Sequence, residues 1–157
     1  MIDKPLILGI GNYLMGDEGI GCHAIKHLSD LSYGLKADLL DGGTGGFHLM
    51  DHLTNHRVVI MIDATLDTYP EGTVRVLKPT GYKDFPQTLS AHEIGLKDLI
   101  TSLMLIDRMP EVYLIAVSVK DYDELRINLS PVITETLPKI TAKVDRIFEI
   151  MEERLVS

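Results

Sequence analysis

Apolar positions along this chain fall into two kinds of run: short blocks that are apolar throughout, and longer stretches in which apolar residues recur every three or four places. The first block, PLILGI over residues 5–10, is followed by the glycine-rich GNYLMGDEG. Ile20, Ala24, Ile25, Leu28 and Leu31 then recur at helical spacing. That order reads as strand, loop and helix, with Asp17 as the N-cap of the helix. A second block, Ala37 to Leu40, ends in Asp41 and the turn DGGTGG, after which FHLMDHL predicts a short helix. The third block, VVIMI over residues 58–62, closes on Asp63. Blocks without a polar alternate suit parallel strands covered on both faces.

Further along, TVRVL over residues 73–77 alternates and predicts an edge strand. Ser90-Ala91-His92-Glu93 has the capping-box pattern, opening a helix that carries Leu96, Leu99, Ile100 and Leu103 with His92 in its first turn. VYLIAVSV over residues 112–119 is the last strand. Ser130-Pro131 starts a terminal helix whose stripe is Leu137, Ile140, Val144, Ile147, Met151 and Leu155, and Pro138 inside it predicts a kink. Alternating strands and helices joined by right-handed crossovers give an α/β three-layer sandwich: a twisted, mostly parallel central sheet of about five strands, one edge strand antiparallel, with helices on both faces. No repeat or linker interrupts the 157 residues, so one domain is expected over 1–157.

Charge and composition narrow the partners. A formal net charge of -8 argues against a surface that tracks phosphates, so no nucleic acid is expected. A cation or a basic peptide segment suits it better. No apolar run approaches the roughly 18 residues of a membrane span, so no membrane insertion is expected. The start, MIDKP, lacks the pattern of a signal peptide. Cys22 is the only cysteine, which excludes an internal disulfide and fits a reducing compartment; the expected location is cytoplasmic.

The glycine loop after the first strand has the wrong charge for phosphate. A dinucleotide fingerprint needs a third glycine where Leu14 stands. Gly11 and Gly16 have the spacing of a phosphate loop, but Asp17 and Glu18 replace the Lys and the hydroxyl that such a loop uses. Asp41 imitates a ribose-binding acid, so nucleotide binding stays as an alternative. Ligands of open α/β sheets bind beyond the carboxyl ends of the strands, and Glu18, Asp41 and Asp63 all follow such ends. Together with His92 these acids are costly to gather without a cation, so the group reads as a metal site.

Singly, each member has an ordinary explanation. Asp17 serves as a helix cap, Asp41 as a turn residue, and a histidine in a first turn is usually structural. Gly42 and Gly43 imply positive φ or close approach by a substrate. His23 with His27, and His48 with His52, have a spacing that can grip zinc but lack the adjacent Glu of the zinc-protease helix; the first pair reads as a solvated face. Cys22 reads as a small buried hydrophobe, with contact to a soft metal as the minor alternative.

GIGNYLMGDEGIG near the start, DGGTGG after the second strand, IDA at the end of the third and SAHEIGL before the long helix together resemble the hydrogenase maturation endopeptidases. The resemblance implies an α/β fold and removal of a short C-terminal extension from the precursor of a nickel-iron hydrogenase large subunit, after nickel insertion. It implies Glu18, Asp63 and His92 as metal ligands. The metal is then nickel brought by the substrate on its cysteine thiolates, with another divalent metal as the alternative. Asp41 and Asp17 are the candidate proton carriers, and Gly42, Gly43 and Thr44 of DGGT are the candidates for substrate contact. A non-catalytic nickel-binding chaperone or sensor of hydrogenase assembly is the competing class.

Overall fold

Five strands form one sheet in the computed structural model, which describes residues 4–44, 46–80, 96–120 and 124–156. They are β1 (Leu6–Gly9), β2 (Asp38–Asp41), β3 (Val58–Thr65), β4 (Val74–Leu77) and β5 (Glu111–Ser118), in the order β2-β1-β3-β5-β4. β1 pairs in parallel with β2 and β3, β3 pairs in parallel with β5, and β4 lies antiparallel on β5 at the edge. The mostly parallel sheet with one antiparallel edge strand is the one the apolar blocks predict. β3 runs further than its apolar block: Asp63 lies within the strand opposite Ala116, and Thr65 ends it opposite Ser118. The ladder with β5 continues through the acid because β5 offers backbone partners for the whole length.

Strand alternation sorts the core into two halves. Ile7, Ile60, Ile62 and Ile115 face α1 (Ile20–Asp30) and the long C-terminal helix; Leu6, Leu8, Val59, Met61 and Leu114 face α2 (Met50–Thr54) and α3 (Leu96–Leu105). Ile7, Leu8 and Ile60 are wholly buried, each contributing about 1.5 to 3 kcal/mol by leaving water. On α3 the expected Leu99, Ile100 and Leu103 form the inward stripe. No described helix is long and apolar enough to cross a membrane. The capping box Ser90 to Glu93 lies outside the described residues.

The C-terminal helix differs from expectation in two places. It is split into α4 (Pro131–Thr134) and α5 (Thr136–Val156), so the break falls before Pro138 rather than at it. Proline cannot donate to the carbonyl four residues back and its ring crowds that carbonyl. In Pro138 that carbonyl belongs to Thr134, where α4 stops, and Pro138 then sits in the first turn of α5, where its missing N–H costs nothing. The stripe also ends early: Ile140, Val144 and Ile147 are buried, but Leu155 is 61% exposed because α5 outruns the sheet.

α1 starts hard against the sheet. A Cβ on Gly21 would lie 2.4 Å from the Ile10 carbonyl oxygen and 2.5 Å from that of Ile62, so only glycine fits there. The close helix-to-strand approach that a third loop glycine gives a dinucleotide site is provided here by Gly21, seven positions after Leu14.

Candidate functional site

Because β1, β2, β3 and β5 run parallel, the loops that leave their carboxyl ends share one edge of the sheet. The loop after β1 is held by backbone pairing with a distant segment: the Gly16 N–H donates to the Arg126 carbonyl at 2.6 Å, and the Arg126 N–H donates to that of Leu14 at 2.9 Å. It then winds into a single 3-10 turn, Gly16–Gly19, that packs against β3 with every residue buried. Glu18 is therefore only 2% exposed, and Asp63 on β3 only 1%. Asp63 has the parity of Val59 and Met61, which puts it on the α2 and α3 side of the sheet. Its Oδ1 accepts the Ala64 N–H at 2.8 Å.

His92, the third expected ligand, stands four positions before α3 in the sequence and lies outside the described residues. Among the described residues, no group of three or more His, Cys, Asp or Glu side chains is placed to hold a metal. Oxygen donors from Glu18 and Asp63 suit a divalent cation that has other ligands of its own.

Asp17 is not the N-cap of α1 that its position suggests. Neither the 3-10 turn nor α1 has a side-chain cap; instead the Asp17 carboxylate accepts the Ser130 N–H at 2.8 Å on Oδ1 and the Ser130 hydroxyl at 2.8 Å on Oδ2. Ser130 is the N-cap residue of α4. Asp17 itself is wholly buried, with Arg126 Nη2 3.7 Å from Oδ1. The expected cap of α1 is therefore not formed, because both carboxylate oxygens are taken by Ser130, far along the chain.

Asp41 ends β2 at the surface, and its Oδ1 accepts the Gly43 N–H at 2.9 Å. That turn needs Gly43 in the left-handed region, at φ 54°. The two glycine loops are sewn together as well, Gly42 N–H to the Gly9 carbonyl and Gly11 N–H to the Gly43 carbonyl, each 2.8 Å. Gly42 is buried, whereas Gly43 has open space where a Cβ would project and Thr44 is exposed.

Cys22, in the first turn of α1, lies 3.4 Å from the Gly11 carbonyl oxygen. Burial pushes its thiol far above the ordinary range, and a hydrogen bond with Asp41 and the charges of Asp41 and Asp63 push it further. The cysteine is thus a neutral buried thiol, and both acids lie within electrostatic reach of it. His23 is not on a solvated face: its Nε2 lies 3.0 Å from the Ile127 carbonyl oxygen and its ring stacks on Tyr13 at 4.9 Å. α1 is thereby tied to the segment after β5. His48 and His52 are exposed.

Sequence reasoning missed Asp67. Its carboxylate collects the Thr65 hydroxyl at 2.9 Å, the Ser118 hydroxyl at 2.8 Å, the Tyr69 N–H at 3.0 Å and Arg75 Nη2 at 3.0 Å. The one available signal was an acid two places after a hydroxyl-bearing strand end. Arg126 and Ser130 were missed too, because their partners are remote in sequence.

A family model described as hydrogenase maturation protease matches residues 22–147. The hydrogenase expression/formation protein HupD of Thiocapsa roseopersicina is 30% identical over 152 residues, which span 94% of this chain and 67% of that protein. The hydrogenase 2 maturation protease of Escherichia coli (strain K12) is 30% identical over 134 residues, 83% of this chain and 81% of the other. Among solved structures, the hydrogenase maturating endopeptidase HybD from E. coli superposes with a TM-score of 0.74 at 27% identity, covering 92% of this chain and 93% of that one.

Proposed function

This chain belongs to the hydrogenase maturation protease family, a family of peptidases, and from that premise we propose that it is the endopeptidase that removes the C-terminal extension of a nickel-iron hydrogenase large-subunit precursor once nickel is in place. The observation that carries the reading is the burial of two carboxylates, Glu18 and Asp63, at the carboxyl edge of a parallel sheet. Keeping two carboxylates charged in a nearly dry place is costly, and a cation offsets that cost.

In this reading the nickel is part of the substrate. It arrives on the precursor's own cysteine thiolates, and Glu18, Asp63 and His92 complete its shell. Docking through the metal brings the scissile peptide to the loops after β1 and β2, and positioning of that kind lowers a barrier by several kcal/mol, up to about 7 to 11. Gly43 and Thr44 border the path of the peptide. Asp41, exposed and oriented by the Gly43 N–H, takes the proton from the attacking water and passes it to the leaving amine. Gly42, turned toward the core, supports the loop instead. The compartment is the cytoplasm, where a single buried thiol stays reduced.

Incubation with nickel-loaded precursor tests the reading. A peptidase lowers the mass of the large subunit by that of its extension, whereas a chaperone or sensor leaves the mass unchanged.

A further inference from the structure

Asp17 stands next to Glu18 in the turn after β1, yet the chemistry above gives it no task. Its carboxylate has no exposure to solvent, and both of its oxygens are committed, one to the Ser130 N–H and one to the Ser130 hydroxyl, each at 2.8 Å. To carry a proton it would have to give up these bonds at a place water does not reach. The geometry fits another role. Successive residues on a 3-10 turn point about 120° apart, since the turn has three residues. With Asp17 directed at Ser130, the neighbouring Glu18 is set a third of a turn away, on a segment that packs against β3.

We propose that Asp17 is a positioning residue that locks the Gly16–Gly19 turn to Ser130 and so fixes the direction of the Glu18 carboxylate for metal capture. The proposal deepens the function given above and rests on it. The backbone pairs Gly16 to Arg126 and Arg126 to Leu14 hold the entry of the same turn, and the Glu18 N–H donates to the Met15 carbonyl at 3.2 Å; the two hydrogen bonds of Asp17 add a side-chain tie beside Glu18 itself. Arg126, 3.7 Å from Oδ1, adds attraction without a third hydrogen bond.

The test uses Asp17→Asn, Asp17→Ala and Ser130→Ala, with Glu18→Gln as reference. It reads the affinity for Ni2+ alone by titration calorimetry well below each melting temperature, and kcat and KM on nickel-loaded precursor. Asparagine can accept the Ser130 N–H with its oxygen and donate to the Ser130 hydroxyl with its amide, so Asp17→Asn stays within about threefold of the parent in both readings. Asp17→Ala loses about tenfold or more in Ni2+ affinity and raises KM. Ser130→Ala, which keeps the backbone N–H bond, falls between them and still serves if Asp17→Ala fails to fold.

Asp17→Asn that abolishes cleavage while leaving Ni2+ affinity intact would make Asp17 a proton carrier and overturn the proposal. A lowered melting temperature with unchanged Ni2+ affinity in Asp17→Ala and Ser130→Ala would reduce it to a structural residue, which also overturns it. If Glu18→Gln binds Ni2+ as well as the parent, the metal-capture reading itself has failed, and that result is separate from the other two.

Discussion

The Ser118 hydroxyl donates to the Asp67 carboxylate at 2.8 Å, tying the end of β5 to the residues that leave β3. Thr65, opposite Ser118 in the ladder, donates to the same carboxylate, and Arg75 brings in β4. Residues of three strands therefore converge on one acid. Burial alone would raise the pKa of Asp67, but hydrogen bonds from Ser118, Thr65, the Tyr69 N–H and Arg75 outweigh it and hold the carboxyl below its ordinary 3.8.

Asp67→Asn should therefore cost about 1 to 3 kcal/mol at neutral pH, the range for losing charge-assisted hydrogen bonds. Because the folded pKa is lowered, this stabilisation is fully present above 3.8 and is lost as pH falls through the lowered value. Thermal melts of the parent and Asp67→Asn should differ clearly at neutral pH and converge as pH falls below 3.8. A gap that stays constant with pH would assign the effect to something other than the charge.

Gly42 and Gly43 should separate folding from processing. A Cβ at Gly42 would lie 2.8 Å from Leu8 Cδ1 and 3.3 Å from the Gly9 carbonyl oxygen, so Gly42→Val overpacks the core by about 1 to 3 kcal/mol and lowers the melting temperature. At Gly43 the space is open and the penalty is the left-handed backbone alone, about 1 to 2 kcal/mol. Gly43→Ala is thus expected to stay folded but to slow cleavage, since it disturbs the turn that orients Asp41. Melting and a cleavage assay on both variants check this, and a slow but fully stable Gly42→Val would contradict the division.

Much of this fold was written locally. VVIMI, and VYLIAV before Ser118, are apolar blocks because their strands are covered on both faces, and TVRVL alternates because β4 lies at an edge. What the sequence concealed depends on partners far apart along the chain. Asp17 has the composition of a cap, but nothing local reveals that its target is Ser130, 113 positions away. His23 resembled a solvated residue because the Ile127 carbonyl that receives it belongs to another loop. Asp63 was legible because an acid after five apolar residues needs a reason, although the strand proved to run past it.

Glu18→Gln, Asp63→Asn and His92→Ala should each abolish processing. For the two acids the fold should survive, since a neutral isostere in a nearly dry site removes a charge without opening a cavity. Circular dichroism and melting at parental values, together with precursor of unchanged mass, are the expected results. Full cleavage by the Glu18 or His92 variant would remove those residues from the metal site.

In the proposed function, cleavage reads the presence of nickel in the substrate. Two carboxylates and one imidazole make an open donor set with fewer nitrogen and sulfur atoms than nickel usually receives, so the isolated protein should hold free metal weakly. The direct measurement is a mass-spectrometric time course with metal-stripped enzyme and two forms of precursor, nickel-loaded and nickel-free. The loaded form is expected to lose its C-terminal extension and the nickel-free form to keep it. Equal cleavage of both forms would contradict that reading.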